Sequence, residues 1–313
     1  MLIADPAFYE AGVATVEEPY LSRTDELPAA DPLGQAVQEQ LAVGATAALT
    51  PTGYLRAGDA AAARAAAREV AAREDPRIVL ALPIDVGWLR SDLVGRLIEE
   101  LVAAPDLKAV MLGGQLDPLA GFPEALTGLA RILARIPGTT LLRTDLAAFG
   151  ALARGAVFAG YGLSSRLRHI VPPGEPAKRS GFTTSPAVLF PELMALFLGK
   201  TLARRFAATH APVCECAACG RRLLDSFPSN RDVRPAARHN TAVLMSWHRT
   251  LQALTTGPDR HRWWQNRCRA AVDRYPLVNA AIQQPNGFHV PPQLLRWSLL
   301  GPAPSAPAGA GVD

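Results

Sequence analysis

"RIVLALPIDVGWLRSDLVGRLIEELVAAPDLKAVMLGG", residues 77–114, decides how the N-terminal half of the chain folds. Its ends, "RIVLALP" (77–83) and "KAVMLGG" (108–114), are short continuous apolar runs bounded by charge, Pro or Gly. Runs of that kind read as strands buried on both faces. Between them "SDLVGRLIEELVAA" reads as a helix opening on Ser91. Strand, helix, strand at this spacing is a βα unit and implies a parallel sheet. Functional residues in such sheets gather at the strand C-termini.

The alternation extends both ways. "GATAALT" (44–50), "TTLLRT" (139–144) and "AVFAGYG" (156–162) read as further strands, and "MLIAD" as a sixth. "GDAAAARAAAREVAARED" is Ala-rich with Asp59 as N-cap, and "FPEALTGLARILARI" carries Pro123 in its first turn. "DLAAFGALARG" opens on Asp145 and closes at Gly155, a good residue just past a helix end. Five or six such strands are too few for a full eight-stranded barrel. The expected architecture is α/β: a shortened or incomplete TIM-like (βα) barrel over residues 1–185, with a C-terminal helical subdomain over 186–300. After "HIVPPGEPAKRSGFTTSP" the pattern changes. Residues 186–208 read as a helix, and 238–254 and 261–275 as basic amphipathic helices. The Pro/Ala/Gly tail, 301–313, is expected to be disordered.

Of 313 residues, 49% are hydrophobic and 19% charged, the balance of a globular chain. No apolar run approaches the roughly 20 residues of a membrane span, and "MLIADPAFYE" lacks the basic start and apolar stretch of a secretory signal. A cytoplasmic location follows. In that compartment three cysteines within six residues, Cys214, Cys216 and Cys219, point to metal or redox work rather than a structural disulfide. Redox chemistry normally takes a Cys pair in a thioredoxin-like setting, so zinc is the better reading. Three thiolates need a fourth ligand to close a tetrahedron. His239 suits best, 20 residues after Cys219 at a helix start; His210, His248 and Cys268 are weaker alternatives.

Cys214-x-Cys216-x-x-Cys219 followed by His239-Asn240 in "HNTAVLMSWHRTL" resembles the zinc subdomain of the tRNA-guanine transglycosylase family. The family sets that subdomain on a TIM barrel, with three cysteines and a His holding a structural Zn2+. The Cys-to-His interval here is a few residues shorter than usual. The resemblance covers about residues 44–255. It implies base exchange on tRNA or a related nucleic acid, and association into a homo- or heterodimer through the zinc subdomain. "VMLGGQLDP" looks like the strand whose Gly pair touches the base, which places Gly113 and Gly114 at the substrate. "TDLAAFGALARGAVFAGYGLSSRLR" is similar to the segment carrying the nucleophile, with Gly155 and Arg166 matching its ends and Ser164 in the loop by the pocket.

The nucleophilic Asp then falls on Gly160, and Thr50 takes the position of the substrate-binding Asp in "AALTPTGYL". The Gln that recognises the base would fall at Ile84 or Asp85. The family reaction needs one carboxylate to attack the anomeric carbon and another to manage protons; glycine does neither. Asp117 and Asp85, at strand ends, are the candidate replacements, although either residue serves equally well as a loop cap. His169 could meet a phosphate together with Arg166 and Arg168. Three functions compete: a diverged base-exchange enzyme with relocated carboxylates, a non-catalytic relative that binds nucleic acid or partners an active subunit, and an unrelated α/β protein with a structural zinc.

Charge is uneven along the chain, which fits either an anionic partner or arginines that simply solubilise the helices of an Arg- and Ala-rich sequence. Residues 1–199 hold 17 Lys+Arg against 22 Asp+Glu, whereas 200–300 hold 15 against 5. Such asymmetry suits nucleic acid, and Arg221, Arg222, Arg260, Arg262 and Arg267 near Trp263 and Trp264 are the expected contacts.

Overall fold

The computed structural model describes residues 2–22, 30–102, 104, 107–178 and 185–301. The described residues up to Lys178 form one compact unit and those from Ser185 a second. The expected disordered tail, apart from Gly301, lies outside the described residues.

In the first unit strands and helices alternate: β1 (Ile3–Ala4), α1 (Pro32–Ala42), β2 (Ala47–Leu49), α2 (Ala60–Ala71), β3 (Ile78–Asp85), α3 (Val94–Val102), β4 (Lys108–Gly113), α4 (Ala125–Arg135), β5 (Thr139–Thr144), α5 (Ala147–Ala153) and β6 (Ala159–Tyr161). The six strands make one parallel sheet in sequence order, curled as a half-barrel. Sequential order follows from βα units that all cross over in the same sense. The longest pairing, β3 with β4, runs from Leu80↔Lys108 to Asp85↔Gly113 and so aligns the C-terminal ends of both strands.

Local chemistry sets several boundaries. Asp59 caps α2 by accepting from the Ala62 N–H. Asp145 accepts from the Ala147 N–H, and Gly155 leaves α5 at φ 101°. Two expected starts move. α3 begins at Val94, three residues after Ser91, and α4 begins at Ala125, so Pro123 precedes the helix instead of lying in its first turn. α1 was not foreseen; Asp31 caps it by accepting from Gly34 N–H.

Side chains alternate across each strand. Val79 and Ala81 of β3 and Ala109 and Met111 of β4 share one face with Ala47 and Leu49. That face is already covered: Tyr9, Tyr54 and Ile170 complete the same buried cluster. Tyr9 comes from a 3-10 turn at Phe8–Glu10, and Ile170 bridges to Gly113 beyond the edge of β4.

The second unit contains β7 (Ala187–Phe190), β8 (Ala195–Leu198), α6 (Gly199–Arg205), α7 (Val233–Ala253), α8 (Gly257–Ala281) and α9 (Pro292–Leu299). The helix expected over 186–208 is therefore an antiparallel hairpin, β7 with β8, followed by a short helix. Pro191 has no N–H to give a helix and sits in the turn, and Met194 takes φ 46° there. Phe190, Phe197, Phe206 and Phe288 pack edge-on or tilted around the hairpin. Among the described residues no helix is long and apolar enough to cross a membrane.

Candidate metal centre

α7 buries Ala236, His239, Asn240, Val243, Leu244, Trp247 and Leu251, the three-and-four spacing of an amphipathic helix. His239 lies on this face in the second turn, fully buried. Its Nε2–H donates to the Leu189 carbonyl at 2.7 Å, which leaves Nδ1 as the free lone pair. Asn240 ties the same strand twice, accepting from Leu189 N–H at 2.7 Å and donating to the Ala187 carbonyl at 2.9 Å.

The cysteines come from a tight loop closed by a Val213↔Leu223 bridge. Cys214 N–H donates to Arg222 O, Cys219 N–H to Cys216 O, and Arg222 N–H to Cys219 O. Gly220 and Arg221 turn the chain at φ 55° and 64°, folding all three thiols to one side. Nδ1 of His239 lies 3.2 Å from Cys214 Sγ, 3.6 Å from Cys216 Sγ and 3.2 Å from Cys219 Sγ. All four ligand atoms fall within 4.8 Å of one another. A tetrahedral ion with about 2.3 Å to sulfur and 2.1 Å to nitrogen sets S···N at about 3.6 Å, so the cluster has the dimensions of a Cys3His site.

Electrostatics agree with that geometry. Burial pushes the Cys214 and Cys219 thiols up and holds the His239 imidazole down, in its neutral form. Three adjacent thiolates in a half-buried loop are costly unless a cation sits among them. Around the cluster, the Phe227 ring lies 5.8 Å from the His239 ring, and Arg222 stacks on Phe227 at 4.3 Å while pairing with Asp232 at 3.0 Å. His210, His248 and Cys268 are not in the cluster; Cys268 is buried in α8.

Asp85 closes β3, Gly113 closes β4, and Asp117 lies in the turn after β4. Asp85 accepts from Gly87 N–H at 2.7 Å and from the Tyr54 hydroxyl at 2.9 Å. Asp117 accepts from Ala120 N–H at 3.2 Å and starts a 3-10 turn. Both carboxylates thus act as caps. Gly113 is buried: a Cβ there would stand 2.2 Å from the Tyr54 hydroxyl oxygen, so Tyr54 covers it. Gly114 N–H donates to Ile170 O and has φ 125°. Gly160 lies mid-β6 against Leu142, while Ser164 and Arg166 are exposed. Arg168 donates to Gly162 O and lies over the Tyr161 ring at 5.3 Å. Burial and the nearby Arg143 hold His169 down.

One charged cluster escaped the reading of the sequence. Arg143, at φ 46° near the end of β5, pairs with Asp5 at 2.9 Å and with Glu10, and lies over the Tyr9 ring at 5.4 Å. Its only signal was an Arg inside the apolar run "TTLLRT". The expected phosphate contacts are mostly committed within the protein. Arg222 holds Asp232, Arg260 donates to Leu254 O, Arg262 pairs with Asp259, and Arg267 is sandwiched on Trp247 and Trp263. Trp264 is buried against Trp297.

No family model matches this chain, and no curated protein and no solved structure matches it either.

Proposed function

We propose that the chain is a zinc-stabilised, non-catalytic relative of the tRNA-guanine transglycosylases that binds nucleic acid. The single observation carrying the reading is the Cys3His cluster, in which Nδ1 of His239 faces three sulfurs while Nε2 is held by Leu189. Zn2+ suits this donor set: soft thiolates, a neutral imidazole and a tetrahedral spacing. Four protein ligands leave no open position, so the ion would join the loop, α7 and β7, a folding role and not a chemical one. The sequential parallel half-barrel is what a shortened TIM-like barrel would retain.

Base exchange takes a carboxylate to attack the anomeric carbon as the base leaves. The position the resemblance assigns to it is Gly160. Asp117 and Asp85, the conceivable replacements, satisfy backbone N–H groups, and Tyr54 fills the space over Gly113. A binding role remains, consistent with the basic composition of residues 200–300.

Purified protein is expected to carry one zinc per chain by elemental analysis, to bind labelled nucleic acid, and to incorporate no labelled guanine. Guanine incorporation that is lost in Asp117→Ala would instead establish an active enzyme with a displaced carboxylate. Metal-free yet fully folded protein would remove the zinc reading.

A further inference from the structure

α7 carries three arginines and no Asp or Glu along its 21 residues. At about 100° per residue, Arg234, Arg238, Thr241, Met245, Arg249 and Gln252 fall on one stripe, and all six are exposed. The rise of about 1.5 Å per residue spreads Arg234 and Arg249 over roughly 22 Å. Among the described residues Arg234, Arg238 and Arg249 make no ion pair or hydrogen bond, unlike Arg222, Arg260 and Arg262 of the same unit.

The fold gains nothing from this placement. Arg234 stands in the first turn of α7, at the positive end of the helix dipole where cations are disfavoured, and Arg238 one turn further on. They are also four residues apart, where like charges repel. An exposed helix built for stability alone mixes signs or puts acids at that end. Uncompensated cations in register along one face suit a ligand with regularly spaced anions.

We infer that the exposed stripe of α7, Arg234, Arg238 and Arg249, is a docking surface for the phosphate backbone of nucleic acid. The inference rests on the binding role proposed above and assigns it to a surface distinct from the arginines near Trp263. Guanidinium groups pair two-pronged with phosphate oxygens, while the hydroxyl of Thr241 can add a neutral contact. Backbone contacts of this kind position a nucleic acid without reading its sequence.

The test is fluorescence anisotropy on the zinc-loaded full chain across a salt series. The probes are a labelled 20-base-pair DNA duplex, a labelled RNA stem-loop and labelled polyglutamate. Each phosphate neutralised contributes about 0.9 to the slope of log affinity against log salt for duplex DNA. The triple variant Arg234→Ala, Arg238→Ala, Arg249→Ala is therefore expected to lower that slope by about 3 and the affinity on the order of tenfold at ~0.1 M salt. A charge-matched control, Arg204→Ala, Arg269→Ala, Arg274→Ala, should keep the parental slope, and the triple Arg→Lys variant should retain most of it. Zinc content checks that each variant is folded. If the parent binds but the stripe variant keeps its slope, this surface is wrong and the binding role stands. If the parent binds neither nucleic acid, the binding role fails and the surface with it. Polyglutamate binding as tight as duplex, lost in the stripe variant, overturns the assignment in favour of an acidic protein.

Discussion

Asn240 spends both ends of its amide on the backbone of β7, while its neighbour His239 uses one ring nitrogen for the same strand and turns the other to the sulfurs. The two residues divide a single task, fixing the imidazole and the strand against which it is aimed. Their variants should therefore separate metal from scaffold. Asn240→Ala strands a buried N–H and a carbonyl, and is expected to cost about 2–3 kcal/mol of stability by denaturant unfolding while zinc content stays near one. Cys216→Ser is expected to lose zinc and soluble yield together, and zinc retained at full occupancy in Cys216→Ser would remove Cys216 from the ligand set. The cysteine spacing made the ligands legible in the sequence, because three thiols within six residues have few uses. Leu189 was not legible as the acceptor: a backbone carbonyl contacted from 50 residues away leaves no mark on residue type.

Elements with one dominant local signal were readable, and those set by competing signals were not. α2 follows from Ala-rich sequence and Asp59, and β3 and β4 from unbroken apolar runs between punctuation. The β7–β8 hairpin was hidden because "AVLFPELMALFLGK" is apolar but for Glu192 and Lys200, and an apolar run of that kind has no period to distinguish strand from helix. Pro191 was the usable clue, since it removes the N–H that an interior helical position needs. α1 was missed although Asp31 caps it, and its end is tied down twice: Asp31 also takes the Arg73 guanidinium at 2.9 Å. That hydrogen bond and the Gly34 N–H hold the Asp31 carboxyl below its ordinary range. A depressed carboxyl stabilises fully above its unfolded pKa, about 3.9, and the contribution is lost as pH falls through the lower folded value. Hydrogen-exchange protection at the first turn of α1, the rate relative to an unstructured amide at the same pH, should thus hold down to about pH 4 and fall below it. Asp31→Asn should flatten this acid dependence while keeping the cap, whereas Asp31→Ala should cost about 1 kcal/mol of local protection at neutral pH. The same acid dependence in parent and Asp31→Asn would show that another group controls it.

At the scale of the first unit, the question is what an α/β sheet keeps when its C-terminal mouth is filled by its own chain. Tyr54 donates to Asp85, and burial and that carboxylate push its hydroxyl pKa upward, so the phenol stays protonated as a donor. Tyr9 and Ile170 close the same cluster, and Arg143 fastens the N-terminal turn through Asp5 and Glu10. Two separate obstacles to base exchange follow from the proposed kinship: no carboxylate at Gly160, and no space over Gly113. Restoring only the first should not restore the reaction. Gly160→Asp is tolerable for the fold, because a Cβ there meets the tip of Leu142 at 2.9 Å, a flexible side chain able to swing aside. It is expected to keep its zinc and to trap no nucleic-acid adduct. Tyr54→Ala opens the face over Gly113 and releases Asp85 from its phenol partner, so an adduct is expected only when it is combined with Gly160→Asp. Denaturing gels of each variant incubated with labelled tRNA and no added guanine make the comparison. An adduct on Gly160→Asp with Tyr54 intact would show that the phenol does not bar the base, and would leave the missing carboxylate as the sole reason for inactivity.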